Sequence, residues 1–259
     1  MQKTEFKVKV GDEELGYVVR LPDSKLRKSA REYKNDFFRK NAFKEGVYFQ
    51  HQIQDLLKKK GLWTDEKEEE IKRVSREIED KLKTLQKGKS ESVPTAEALK
   101  EIIVKQVKPL RNKQLELLAE RSQLDSLSLE SEAQQIELDY LVAASTYTDM
   151  DDKVFSSIED FREKEDTPYA EMASRKLAEL IGLSNPNWLT ELQENKLLIR
   201  HKFMNAEGRY IDKDGNFVSS DGKPVDKDGY YINAEGKRID EDGNLINEDG
   251  EITEFTPFD

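Results

Sequence analysis

Residues 65–87 read DEKEEEIKRVSREIEDKLKTLQK, and this stretch decides the fold class. Thr64 precedes the stretch and can cap a helix, while the carboxylates that follow it favour the positive end of a helix dipole. The apolar residues recur three or four positions apart and form one stripe, which comprises Ile71, Val74, Ile78, Leu82 and Leu85. The pattern predicts an amphipathic helix, either exposed at the surface or one arm of an antiparallel coiled coil.

The next part of the chain supplies a partner for this helix. A second apolar stripe begins after Thr95 and continues to Leu124, with Pro109 as the candidate for a kink. The link formed by residues 88–93 is short and polar, which favours antiparallel neighbours. The sequence therefore predicts an antiparallel coiled-coil-like pair within a helical bundle.

Helical spacing continues on both sides of this pair. Residues 23–57 carry an apolar stripe with a kink expected at Gly46, and residues 136–143 form the most apolar stretch of the chain. Pro168 follows a threonine and is typical of the first position of a helix. These patterns predict an all-helical body over residues 23–200.

The N-terminal residues follow a different period. Apolar residues alternate with polar ones on either side of a turn at residues 11–12, up to Pro22. The alternation predicts a two-stranded hairpin over residues 1–22. A bare hairpin is marginal in water, so we expect it to lie on the helices or to extend a partner's sheet through residues 5–10 or 15–21. The residues expected to bind a partner are Phe6, Val8, Val10, Tyr17 and Val19.

Residues 205–253 consist of a seven-residue repeat. The copies read NAEGRYI, DKDGNFV, SSDGKPV, DKDGYYI, NAEGKRI, DEDGNLI and NEDGEIT. A short polar residue, a glycine and a final branched residue are typical of a turn followed by an extended segment. One such unit is too short to bury its own core. An arm over residues 201–259 is therefore either a short-strand repeat, as a β-meander or a spiral, or an acidic solubilising tail.

The paired aspartates of the repeat are weak candidates for calcium ligands. Aligning Gly215 with the invariant glycine of an EF-hand places Tyr210 at the first ligand position, where an oxygen ligand is required. The nonapeptide calcium repeat also differs, because its period is nine. The remaining candidates for a weak Ca²⁺ site are Asp212, Asp214, Asp226, Asp228, Asp240 and Asp242.

Composition excludes several classes of function. The chain of 259 residues is 37% charged, has no cysteine and carries a net charge of −11. These values exclude disulfides, cysteine catalysis and cysteine-based zinc sites. No apolar run approaches the ~18 residues of a membrane helix, so no membrane partner is expected.

The acidity is concentrated in the arm. Residues 205–259 hold fifteen acidic and six basic residues, a balance of −9, which leaves −2 for residues 1–204. Nucleic acid is therefore not expected as the main ligand, although Lys58–Lys60 can still touch phosphate. The sequence contains no phosphate-binding motif and no nucleophile motif. Neither of the two histidines has a second catalytic group at a meaningful spacing. These observations predict that the protein is not an enzyme.

The order of these features resembles a known family. The matching parts are residues 20–22 (RLP), residues 61–63 (GLW) with the acidic run that follows, residues 194–196 (ENK) before residues 202–203 (KF), and the acidic heptads. Together they resemble an uncharacterised family encoded by tailed bacteriophages, especially contractile-tailed phages of marine bacteria and cyanobacteria.

This resemblance implies a role in virion morphogenesis and brings no catalytic residues. It implies a place in the virion or the host cytoplasm, and an oligomeric assembly with other phage structural proteins as partners. Two alternatives remain open. One is a tail-assembly chaperone that is absent from the mature particle. The other is a cation-dependent module that binds a surface or a glycan through the repeats.

Overall fold

The computed structural model describes residues 2–11, 13–86, 95–247 and 249–254. It is mainly helical with a small antiparallel sheet, which confirms the predicted fold class at this level. The predicted link at residues 88–93 lies outside the described residues.

The elements follow one another with short connections in most of the chain. The strands are β1 (Lys3–Val10), β2 (Glu13–Arg20), β3 (Thr146–Thr148), β4 (Leu245–Ile246) and β5 (Ile252–Glu254). The helices of the first half are α1 (Ser24–Asn41), α2 (Gln50–Lys59), α3 (Asp65–Gln86), α4 (Ala96–Ile102), a π-helical turn (Ile103–Val107) and α5 (Lys108–Asp125). The later helices are α6 (Leu129–Ser145), α7 (Ile158–Glu163), α8 (Pro168–Leu180), α9 (Trp188–Glu191) and α10 (Gln193–Arg200).

The chain forms two compact units. Unit 1 comprises Met1–Ile71 and Glu116–Pro186, and unit 2 comprises Lys72–Leu115 and Asn187–Asp259. Each unit therefore combines two separate stretches of sequence. The sequence predicts boundaries at residues 22 and 200 that divide the chain into consecutive segments. This division into domains stays a prediction.

The sheet of unit 1 contains the predicted hairpin and one further strand. β1 pairs antiparallel with β2, with Lys3 opposite Arg20 and Val10 opposite Glu13. β3 adds to the other side of β2, where Tyr17 pairs with Thr148. The strand order is β1-β2-β3, so β2 lies in the centre.

The core of unit 1 lies under this sheet. Val19 of β2 is fully buried together with three small residues of the helices, Ala30, Ala170 and Ala173. Small side chains allow the helices to approach closely, and the larger Phe155 fills the remaining space between them. The hairpin is therefore held on helices of its own chain, which is one of the two arrangements expected from the sequence.

The predicted helix over residues 23–57 is interrupted. α1 ends at Asn41 and α2 begins only at Gln50, because Gly46 adopts a left-handed conformation with φ of +81° that a helix does not contain. The Asn41 side chain donates a hydrogen bond to the Phe37 carbonyl at 2.7 Å in the last turn of α1. The expected kink is thus a loop of several residues between two helices.

Unit 2 is built on the stripe of α3. Val74, Ile78 and Leu82 are almost fully buried and share one core with residues of α4, of the π-helical turn and of α10. The π-helical turn ends two residues before Pro109, which has no N–H and clashes with a regular helical turn. The distortion expected at Pro109 is thus observed as a π-helical turn just before the proline.

The first repeat of the arm joins this core. Met204 is buried, and Tyr210 packs against it beside Lys108, whose Nζ lies 4.4 Å from the centre of the Tyr210 ring. Burial lowers the pKa of Lys108 and raises the pKa of Tyr210 to about 12. The arm therefore begins inside the hydrophobic core of unit 2.

A buried ion pair lies in the same unit. Glu194 at the start of α10 is 1% exposed, and its two carboxylate oxygens accept hydrogen bonds from Arg111 Nε at 2.7 Å and Nη2 at 3.1 Å. The third nitrogen of the guanidinium, Nη1, donates to Gln114 Oε1 at 2.6 Å. A paired and hydrogen-bonded carboxylate is tolerated in a core, but an unpaired one is not.

We predict that Arg111→Met strongly destabilises unit 2. The substitution keeps an apolar stem but leaves Glu194 buried without its two hydrogen bonds from Arg111, which costs about 3–5 kcal/mol in comparable sites. Urea unfolding followed by circular dichroism measures this change. Lys105→Met is the matched control, since Lys105 pairs with Glu101 at the surface and should alter the midpoint little. Equal effects of the two substitutions would contradict the assignment.

Candidate functional site

The outer edge of β1 is the candidate docking surface. Within the described residues β1 pairs with β2 alone, so one side of this eight-residue strand has no strand partner. An edge strand of this length presents a row of backbone groups to which another chain can bind.

The pairing shows which backbone groups face outward. The Leu21 N–H donates to the Gln2 carbonyl at 2.9 Å, which makes this a hydrogen-bonded pair. Hydrogen-bonded and non-bonded pairs alternate along an antiparallel ladder. Thr4, Phe6 and Val8 therefore direct their backbone groups toward β2. The residues whose N–H and C=O groups point to the free side are Lys3, Glu5, Lys7 and Lys9.

The other predicted docking strand is already occupied. Residues 17–19 of β2 pair with β3, and the Asp149 N–H extends this contact by donating to the Gly16 carbonyl at 3.2 Å. Within the described residues, the docking edge expected on residues 5–10 therefore has no strand partner, whereas the one expected on residues 15–21 is occupied at residues 16–19.

The apolar residues predicted to bind a partner pack inside unit 1. Tyr17 is 7% exposed and stacks between Phe6 and Tyr169, with ring centres 5.5 Å and 5.4 Å apart. Val19 is fully buried, and Val8 is half-buried on the same face as Phe6. The side chain of Val10 lies outside the described residues. These residues hold the strand in place, and the backbone edge is what remains available to a partner.

The exposed face of β1 is charged. Lys3 pairs with Glu5 at 2.7 Å, and Lys7 pairs with Glu14 of β2 at 2.9 Å. Within the described residues, Lys9 makes no ion pair. Lysines on an edge strand discourage indiscriminate strand pairing, so a partner needs a matching charge pattern.

The repeat residues form a regular series of contacts. Position seven of each repeat makes an antiparallel β-bridge with position six of the next, beginning with Ile211 and Phe217. The Val218 N–H donates to the Tyr210 carbonyl at 3.1 Å, and bonds of the same kind recur every seven residues to Ile246. Each glycine has a positive φ, for example +88° at Gly215, which a glycine adopts without strain.

The first residue of each repeat organises its turn. Asp212 Oδ1 accepts hydrogen bonds from the N–H groups of Asp214 at 2.9 Å and Asn216 at 2.8 Å, and Oδ2 accepts one from the Asn216 side chain at 3.0 Å. Asp226 and Asp240 accept the same two backbone bonds in their own repeats. These carboxylates are thus engaged in the backbone of the turn.

Hydrogen bonding shifts the titration of these groups. The Asn216 side chain, with the neighbouring backbone N–H groups, lowers the pKa of Asp212, and the Asn244 side chain does the same for Asp240. The pKa of Asp226 is also lowered, because its hydrogen bonds outweigh the effect of burial. The folded turns therefore bind a proton less readily than the unfolded chain, so their stabilisation holds above about pH 4 and is lost as the pH falls below it.

The calcium candidates do not come together as a cage. In the part of the chain that the structure describes, no group of three or more His, Asp or Glu side chains lies close enough to hold a metal ion. Asp214 and Asp242 are exposed, and Asp228 binds the Arg238 guanidinium together with Asp226. The side chains of the first repeat positions instead bind backbone N–H groups.

Sequence reasoning missed two features of unit 1. β3 follows directly on α6, and its β-branched Thr146 and Thr148 are the signal that was available. Asp139 of α6 is 2% exposed and accepts hydrogen bonds from Arg162 Nε at 2.8 Å and Gln135 Nε2 at 2.7 Å. An acidic residue inside the most apolar stretch, residues 136–143, was the corresponding signal for this buried pair.

Comparison with known proteins identifies no relative from which a function could be inferred. The chain matches no protein-family model, no curated protein and no solved structure. Among the described helices, none is both long and apolar enough to cross a membrane.

We predict that Asp212→Ala loosens its turn while Asp214→Ala does not. Both substitutions remove one carboxylate from the same repeat, but Asp212 is the one that accepts the backbone hydrogen bonds. Amide hydrogen exchange measured by NMR should be about tenfold faster at Asn216 in the first variant, as expected for loss of a hydrogen bond. Equal exchange in the two variants would show that the carboxylate does not organise the turn.

Proposed function

We propose that this chain is a non-enzymatic virion morphogenesis protein that docks on other phage structural proteins through the free edge of β1. The observation that carries the docking mode is the unpaired row of backbone groups on Lys3, Glu5, Lys7 and Lys9. The phage context is supported by the resemblance of the residue pattern to the tailed-phage family. The proposal includes both a component of the particle and an assembly factor.

The docking mode is strand addition. An extended segment of the partner hydrogen-bonds to the edge and makes it the second-to-last strand of a larger sheet. Lys9 is exposed, so a partner strand with a carboxylate opposite its ammonium group is favoured. The buried face keeps β1 in position before the partner arrives, which lowers the entropic cost of binding.

We further propose that the helices and the arm take the finer forms expected from the sequence. The α3 helix and the α4–α5 segment form an antiparallel coiled-coil-like pair, which is supported by contacts of Ser75 with Gln114 and of Lys81 with Gln106. The arm forms a β-meander or spiral, which is supported by the recurring bridges between neighbouring repeats. Both forms present long surfaces to an assembly.

Quantitative mass spectrometry of purified particles tests the proposed context. A particle component is present in stoichiometric amounts, whereas an assembly factor is found in infected lysate and not in the particle. Absence from both the particle and the infected cell would overturn the proposed function.

We predict that Lys7→Pro blocks docking without unfolding the hairpin. Proline removes the outward N–H of Lys7, which makes no bond to β2, and such positions on edge strands tolerate proline. Incorporation into particles, or particle yield for an assembly factor, should fall about tenfold or more in complementation with the variant. Circular dichroism should retain the wild-type melting profile.

Two control substitutions make this test specific. Lys7→Thr removes the same charge but keeps the N–H, so it should support assembly. Val8→Pro removes an N–H that is directed toward β2 and should disrupt the hairpin itself. Normal assembly with Lys7→Pro would show that the β1 edge is not the docking site.

A further inference from the structure

A basic pocket lies in unit 1, and none of its lining residues belongs to β1. It has a volume of about 390 Å³ and is bounded by α1, α6 and the residues that follow α8. Three cations line it, Arg27, Arg31 and Lys34. They lie four and three residues apart, so they share one face of α1.

The pocket has an excess of positive charge. Its lining contains one carboxylate, Glu137, which lies 2.5 Å from Lys34 Nζ and 4.0 Å from Arg31 Nε. α1 as a whole carries seven basic and two acidic residues, in a chain whose net charge is negative. Three cations and one carboxylate leave room for two further negative charges.

The floor of the pocket is apolar. Leu138 and Leu141 of α6 contribute to it, and Leu183 stands at the rim with 70% of its surface exposed. A nucleic acid backbone offers phosphates but no aliphatic group for such a floor. An acidic segment that carries an aliphatic side chain satisfies both the charge and the floor.

The end of the repeat arm has this chemistry. Ile252 of β5 is 46% exposed, and Asp249 and Glu251 beside it are exposed as well. Ile246 pairs with Ile252, and Asn247 Oδ1 accepts the Glu251 N–H at 2.8 Å, so the aliphatic side chain and its acidic neighbours are held in a fixed arrangement. A preformed surface of this kind binds with a small loss of conformational entropy.

We propose that the basic pocket of one copy of this chain binds the Ile252 end of the repeat arm of a second copy. The aliphatic side chain enters the pocket, and the acidic neighbours pair with Arg27 and Arg31. Because the two surfaces are different, the contact is head-to-tail and joins successive copies into a ring or an open chain. This contact is separate from strand addition at β1, so either can fail without the other.

Sedimentation equilibrium of the full-length protein tests the proposal. Wild-type protein should associate in a concentration-dependent way at low salt, and high salt should weaken this association because charge pairs at a surface are screened. Arg31→Glu in the pocket and Ile252→Ser in the arm should each weaken it about tenfold or more. The Arg31 side chain is 69% exposed and Ile252 is 46% exposed, and neither belongs to a hydrophobic core cluster, so the folded units should be retained.

Lys28→Glu is the matched control. It makes the same change of charge on the same helix, but Lys28 is directed to solvent and pairs with Glu32 outside the pocket. Association should be close to wild type in this variant. Equal weakening by Lys28→Glu and Arg31→Glu would mean that the net charge of α1, and not the pocket, controls association, and would overturn the proposal.

Mixing the two defective variants gives the decisive result. Arg31→Glu retains an intact arm and Ile252→Ser retains an intact pocket, so an equimolar mixture should form heterodimers and no larger species. A mixture that stays monomeric overturns the proposal, as does a wild-type protein that stays monomeric at low salt. Binding of a labelled single-stranded oligonucleotide that is lost in Arg31→Glu, without self-association, would assign the pocket to phosphate instead.

Discussion

Backbone hydrogen bonding is the constraint on which the rest of this structure depends. In the arm, each turn is too short to pair its own N–H groups within a strand, so the first side chain of the repeat accepts them, as Asp212 does for Asp214 and Asn216. In the hairpin, pairing with β2 satisfies one side of β1 and leaves the other side open. The same requirement therefore shapes both the turns of the arm and the edge of β1, where the described residues supply no strand partner.

Packing of the hairpin on the helices of unit 1 holds the edge of β1 in a fixed position. An isolated hairpin is marginal in water, but Tyr17 and Val19 are buried on helices of unit 1 and fix the strands. In the proposed docking mode, the charged residues on the exposed face of β1 disfavour a strand without matching charges. This combination of a fixed backbone edge and surface charge is what the proposed docking mode requires.

The sequence was informative where a period was regular. The three-to-four spacing of Val74, Ile78 and Leu82 predicted the buried stripe of α3, and the alternation around residues 11–12 predicted the hairpin. Features that depend on distant pairs were missed: β3 exists because Tyr17 pairs with Thr148, and Glu194 is buried because Arg111 lies opposite it. For the docking surface, the strand was predicted, but which edge is free depends on β3 and required the structure.

Amide hydrogen exchange in the free protein tests the central claim most directly. The account predicts rapid exchange at Glu5 and Lys7, whose N–H groups face the open side, and slow exchange at Phe6 and Val8, whose N–H groups are directed toward β2. The alternation should be visible residue by residue along β1 in an NMR exchange series. Slow exchange at Glu5 and Lys7 in the monomeric protein would show that the edge is already covered, and would contradict the account.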